Sequence, residues 1–155
     1  MRAIAILAAL AMVAGLFLPW LNPNISGLGF VPWDLVKDLE PSVDTVKTLA
    51  DRAPELLGFL ATFVLAALFL LLAILGAPSR ALAFLSGGSA VGMVGYAWMQ
   101  LKGTATAYGI PMPDAENMAD YAGRIPEIFG TGAMAWSGGG VVLLLCGLIG
   151  FPSRR

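Results

Sequence analysis

The sequence predicts an all-α integral membrane protein of four transmembrane helices in an antiparallel bundle, and three observations carry that prediction. Four apolar stretches have interiors free of Asp, Glu, Lys, Arg and His. The chain of 155 residues is 58% hydrophobic and 12% charged, with a mean hydropathy of +0.81, more apolar surface than a soluble core of this size could hide. The charged residues are also sorted by sign between the connecting segments, as membrane insertion requires. Backbone groups in hydrocarbon must be bonded internally, and these runs lack the polar alternation of a barrel strand, so helices are the remaining solution.

The four spans are expected at residues 3–21, 55–76, 81–101 and 132–151, each close to the ~20 residues that cross the hydrocarbon. Pro19 and Trp20 should close the first at the interface. It reads as a retained span and not a cleaved signal peptide, because the apolar run reaches Pro19 without a small-x-small site. Pro54 and Glu55 suit the opening turn of the second span, and Gly76, Pro78 and Ser79 the tight turn into the third.

Arg2, Arg80, Arg154 and Arg155 place a net +4 on one side. In the first long loop Asp34, Asp38, Glu40, Asp44, Asp51 and Glu55 outnumber Lys37, Lys47 and Arg52, a net −3. In the second, Asp114, Glu116, Asp120 and Glu127 outnumber Lys102 and Arg124, a net −2. Lys/Arg bias then predicts an N-in/C-in topology, with both termini and the Arg80 turn cytoplasmic and the outer loops 22–54 and 102–131 extracytoplasmic. The whole chain is one membrane domain, and its Ala, Gly and Leu content with arginine-only inner turns suggests a bacterial inner membrane.

The outer loops are too apolar for simple connectors. Trp33 to Glu40 and Ser42 to Ala53 place Leu35, Leu39, Val43, Val46, Leu49 and Ala53 near one helical face, which predicts short interfacial helices with Ser42 as an N-cap. Asp114 could cap another, bearing Met118, Tyr121, Ala122 and Ile125, while residues 22–31 read as turn or short strand. Two outer loops with both ends inside resemble, in topology, the claudin group of four-span proteins. Gly27, Leu28, Gly29, Phe30 and Trp33 echo that family's first-loop signature, whose paired cysteines are missing here, so the likeness covers topology alone.

Little of the sequence points to chemistry. Cys146 is the only cysteine and there is no histidine, which excludes an intramolecular disulfide, a histidine-ligated haem and a Cys/His zinc cluster. No cofactor, metal or nucleic acid is expected. Thr62, Ser86, Ser89 and Ser137 are the polar residues within the spans, each able to bond back to its own helix.

Two glycine stripes stand out. Ala81, Phe84, Gly88, Gly92, Gly95 and Met99 share a face of the third span, and Gly132, Trp136, Gly140, Leu143, Gly147 and Gly150 share one of the fourth. Small residues let helices approach closely in lipid, so these stripes either pack the two spans together or dock another subunit. Trp20, Trp33, Trp98 and Trp136 lie toward the outer side, as membrane-interface anchors or as the lining of a pocket for a lipid, quinone or pigment tail.

The expected function is therefore that of a non-catalytic accessory or scaffold subunit, packing by glycine-rich faces against a larger membrane complex or against its own copies, with lipid as its other partner. No ionisable or nucleophilic residue sits in the spans where a relay or a membrane enzyme would need one. The alternatives are a passive channel or carrier for a neutral or hydrophobic small molecule, and an interfacial enzyme using loop carboxylates such as Asp34, Asp114 or Glu116.

Overall fold

The computed structural model describes residues 1–21, 30–39, 42–107, 123 and 129–150. It is all-α, with helices α1 (Arg2–Ala14), α2 (Pro32–Asp38), α3 (Val43–Arg52), α4 (Pro54–Ile74), α5 (Arg80–Ala107) and α6 (Thr131–Ile149). Three of these, α4, α5 and α6, are long and apolar enough to cross a membrane, and α1 is a shorter apolar helix. Contacts run from α5 to α6, from α6 to α1, from α1 to α4 and from α4 back to α5. Neighbours in that ring are antiparallel: Ala8 and Gly15 meet Gly139 and Gly132, while Arg2 reaches Ala73 and Arg80 reaches Gly147.

The distribution of side-chain size supports a lipid surround. Ala5, Ala8, Ala9, Ala66, Ala73, Ala83 and Ala90 are buried, with Phe69, Met12 and Leu143 as the largest enclosed apolar side chains. Leu7, Leu10, Leu68, Leu71, Leu145 and Ile149 are exposed. A water-soluble core would take the leucines inside, because each contributes about 1.5–3 kcal/mol on burial. Where tails are as apolar as leucine that gain disappears, and close backbone approach through small residues takes over.

The first apolar stretch departs from expectation. Its helix ends at Ala14 rather than near Pro19, so its 13 residues reach only about 20 Å at 1.5 Å per residue. Gly15, Leu16 and Phe17 tighten into turns (Leu16 N–H to Val13 C=O, 3.1 Å; Phe17 N–H to Ala14 C=O, 3.0 Å), after which the chain runs extended into an isolated antiparallel bridge between Leu21 and Phe129. The cause is crowding at the start of α6. A Cβ on Gly130 would stand 2.2 Å from the Pro19 carbonyl oxygen and one on Gly132 would stand 2.6 Å from that of Leu18.

The unwound backbone is hydrogen-bonded within the protein. Trp20 N–H donates to Phe30 C=O, Trp33 N–H to Leu16 C=O, Gly130 N–H to Trp20 C=O and Gly132 N–H to Pro19 C=O, at 2.8–3.0 Å. The last of these also satisfies a donor orphaned at the α6 N-terminus.

The other boundaries follow local chemistry. Pro54 occupies the first turn of α4 beside Glu55, as expected. That helix ends in a Schellman motif, with Ala77 N–H donating to Leu72 C=O (2.9 Å) and Gly76 N–H to Ala73 C=O (3.3 Å). Gly76 sits at φ +95° there, a conformation that penalises any residue with a Cβ. Ser42 caps α3 by accepting from Thr45 N–H at 3.1 Å.

The third stretch runs past its expected end at 101 to Ala107, so the connection to α6 begins later than residue 102. At 28 residues, α5 extends about 42 Å and overshoots a hydrocarbon layer of ~30 Å. The short helix expected after Asp114, the turn at 22–29 and Arg154 and Arg155 lie outside the described residues.

Candidate functional site

The features that could carry function are helix faces, so each predicted residue is placed by what it touches. On α6 the small-residue stripe faces inward. Gly132 meets the Leu18 backbone, and a Cβ on Gly140 would approach Ala90 Cβ at 2.8 Å. One on Gly147 would meet the Phe84 backbone at 2.6 Å. Leu143 and Trp136 on the same stripe are buried. Gly139, off that stripe, takes α1 instead, 2.6 Å from the Ala8 carbonyl oxygen. Gly150, at φ +84°, closes α6 through its N–H to Cys146 C=O and lets the Arg80 side chain lie across the helix end.

On α5 the packed face is a different one from that expected. Ala83, Ser86, Gly87 and Ala90 are the buried residues. A Cβ on Gly87 would stand 2.3 Å from Leu144 N and 2.6 Å from Gly140 O, both backbone atoms. Gly88 has only Leu144 Cδ1 nearby, at 3.8 Å, and Gly92 and Gly95 have nothing within 4 Å. At 3.6 residues per turn the Gly88, Gly92 and Gly95 stripe is turned roughly 140° from the middle of the Gly87 and Ala90 face. Gly87 escaped the sequence reading because adjacent glycines at 87 and 88 start two equally plausible stripes, and hydrophobicity around α5 is too uniform to choose.

The tryptophans divide in the same way. Trp136 is 4% exposed and its indole N–H donates to Thr62 Oγ1 at 2.9 Å, while the Thr62 hydroxyl donates to Phe59 C=O at 2.7 Å. Trp20 donates its indole N–H to Gly15 C=O at 2.7 Å, capping the carbonyl end of α1. The two rings join Phe59 and Phe63 in one cluster, with Trp20 on Phe59 at 4.9 Å, Trp20 on Trp136 at 5.1 Å and Phe59 on Phe63 at 5.1 Å. Such contacts add about 0.5–1.5 kcal/mol each beyond burial. These rings fill the space between them, and both indole N–H groups are bonded to protein. Trp33 packs on Phe17 at 5.0 Å and remains partly exposed, and Trp98 is 44% exposed.

The hydroxyls within the spans bond back to their helices, with one exception. Ser89 donates to Ser86 C=O and Ser137 to Ala133 C=O. Ser86, fully buried, turns instead across to Met12 Sδ at 3.9 Å. Cys146 is buried and unpaired in any disulfide. Of the loop carboxylates, Asp34 is exposed and pairs with Lys37 Nζ at 2.7 Å, and Asp114 and Glu116 lie outside the described residues. Glu55 Oε1 accepts from Tyr96 OH at 3.1 Å, and Gln100 Nε2 donates to the same hydroxyl at 2.7 Å.

Arg2 and Arg80 sit at one end of the helices. Arg2 donates to Ala73 C=O at the end of α4, and Arg80 donates from Nε to Gly147 C=O (2.8 Å) and from Nη2 to Leu148 C=O (2.5 Å) at the end of α6. Each guanidinium satisfies carbonyls left over at a helix C-terminus and complements its dipole. Comparison with protein-family models, with curated proteins and with solved structures finds no match for this chain.

Proposed function

We propose that the protein is a non-catalytic scaffold subunit of a bacterial inner membrane. It crosses four times with both termini cytoplasmic, and a second membrane helix docks on the outer half of α5. The observation that carries the docking reading is the open stripe of Gly88, Gly92 and Gly95. It lies on the side of α5 turned away from its own α6 contact, beside exposed Val91 and Met99. Close helix approach in lipid needs such a surface, and among the described residues nothing lies within 4 Å of a Cβ on Gly92 or Gly95. The occupant is a second copy or a helix of a larger complex.

Support for the fourth crossing comes from α1 together with the internally bonded segment 15–21, which continues the apolar run beyond the short helix. Arg2 and Arg80 at the same end support the orientation by the positive-inside rule. Among the described residues the buried polar side chains are Thr62 and Ser86, both already engaged, which gives a passive carrier little lining to work with.

The test is mass measurement in a mild detergent on wild-type protein and on Gly92→Leu and Gly95→Leu. The expected result is an assembly, or a co-purifying membrane protein, that both substitutions release. A chain that is always monomeric and alone would overturn the reading. For orientation, a cysteine replacing Glu116 in a Cys146→Ala background should react with an impermeant reagent from the periplasmic side; reaction only after the cytosolic face is opened would reverse the topology.

A further inference from the structure

Beside Arg80 an open groove of ≈ 460 Å³ runs between the start of α5 and the end of α6, lined by Arg80, Ala81, Phe84, Gly147 and Leu148. The surface of the groove is apolar. The guanidinium stands at the first residue of α5, whereas Phe84 lies one turn, about 5.4 Å, further along the helix. Phe84 and Leu148 are both exposed, so their apolar surfaces are available to whatever fills the groove.

Arg80 keeps its charge at this position. Nε and one Nη2 hydrogen are spent on the Gly147 and Leu148 carbonyls, leaving three of the five guanidinium donors. No described carboxylate lies within ion-pair distance of it, and Arg2 stands at the same end of the helices. The two carbonyl bonds fix the guanidinium against the end of α6, beside the groove, without neutralising it.

We infer that this groove is a binding site for one anionic phospholipid, whose phosphate pairs with the Arg80 guanidinium while an acyl chain lies along Ala81, Phe84 and Leu148. Guanidinium geometry suits phosphate oxygens, and basic pockets between transmembrane helices hold anionic headgroups. A free anion would need only the charge; the apolar lining one turn deeper calls for an amphiphile. The groove continues the α5 docking stripe toward the start of the helix, with Phe84 one turn before Gly88, so a bound lipid and a docked helix are told apart by mass.

Native mass spectrometry of the full chain in a neutral detergent tests the inference, because subunit number and lipid adducts are read separately from one spectrum. Dioleoyl phosphatidylglycerol, dioleoyl phosphatidylcholine and inorganic phosphate are offered in turn. Wild-type protein should retain one phosphatidylglycerol about fivefold more than phosphatidylcholine, the worth of one cation facing one anionic lipid. Arg80→Gln should abolish that preference, and Arg2→Gln should leave it. Ala81→Trp, which fills the groove while keeping both carbonyl bonds, should lower retention of phosphatidylglycerol, and it stands as the deciding variant if Arg80→Gln does not fold. Equal retention of the two lipids, an unaffected Ala81→Trp, or full displacement by inorganic phosphate would each overturn the site.

Discussion

Between Ala83 and Ala90, α5 presses small residues against α6, whereas between Val91 and Gln100 the same helix faces its glycines into open space. Each half carries two glycines. In the first half Gly87 is an obligate contact, because a single added carbon would strike the Leu144 and Gly140 backbones. In the second, α5 meets α4 through Met93 near Gly58 and Tyr96 on Glu55, and Met99 is 73% exposed. Near the Pro19 end of α1 the aromatic cluster of Trp20, Phe59, Phe63 and Trp136 joins the segment after α1 to α4 and α6 without any ring from α5. Glycine content alone therefore says nothing about which face of a membrane helix is in use; the neighbour's backbone does.

The contrast can be broken most sharply at Gly87. Gly87→Leu should cost more than the ~1–3 kcal/mol usual for overpacking, since the atoms it meets are backbone and cannot rotate away. Loss of folded protein after a thermal challenge in detergent is the readout, and wild-type stability in this variant would refute tight α5–α6 packing. Gly92→Leu is its counterpart and should leave stability within about 0.5 kcal/mol of wild type while altering assembly.

Between these extremes lies the contact that holds the other end of the helices. Thr62→Val leaves the buried Trp136 N–H without its acceptor and should destabilise by about 1–2 kcal/mol. Trp136→Phe combined with Thr62→Val should lose less than the sum of the two single changes, because the first substitution removes the donor that the second strands. Strict additivity would show that the indole to hydroxyl bond contributes nothing.

Gly76→Ala should cost about 1–2 kcal/mol for forcing a Cβ into a left-handed turn, again by thermal unfolding. The smallest effect belongs to the exposed Asp34 and Lys37 pair. Its hydrogen bond and then its charge raise the Lys37 pKa above the ordinary 10.5, with Asp38 adding to the rise against a small opposing effect of desolvation. A raised lysine contributes stability below its unfolded pKa and loses it as pH climbs through the folded value. Asp34→Asn should therefore differ marginally from wild type at neutral pH, and the two should converge in alkali. As an exposed i,i+3 pair it is worth little in either case.

Composition and charge order were enough to read an all-α chain with several long apolar helices, because expelling ionic groups from hydrocarbon is a local requirement that each segment meets alone. The Pro54 opening of α4, the Gly76 turn and the Ser42 cap were legible for the same reason, being set by residues within one turn of each other. The early end of α1 could not be read, since it depends on Gly130 and Gly132 pressing on Leu18 and Pro19 from more than 100 positions away. Nor could the choice of Gly87 over Gly88, or the capping of α4 and α6 by Arg2 and Arg80. In lipid every face of a helix is apolar, so periodicity no longer marks the buried side. That decision passes to backbone-to-backbone fit, which exists only once the helices have met.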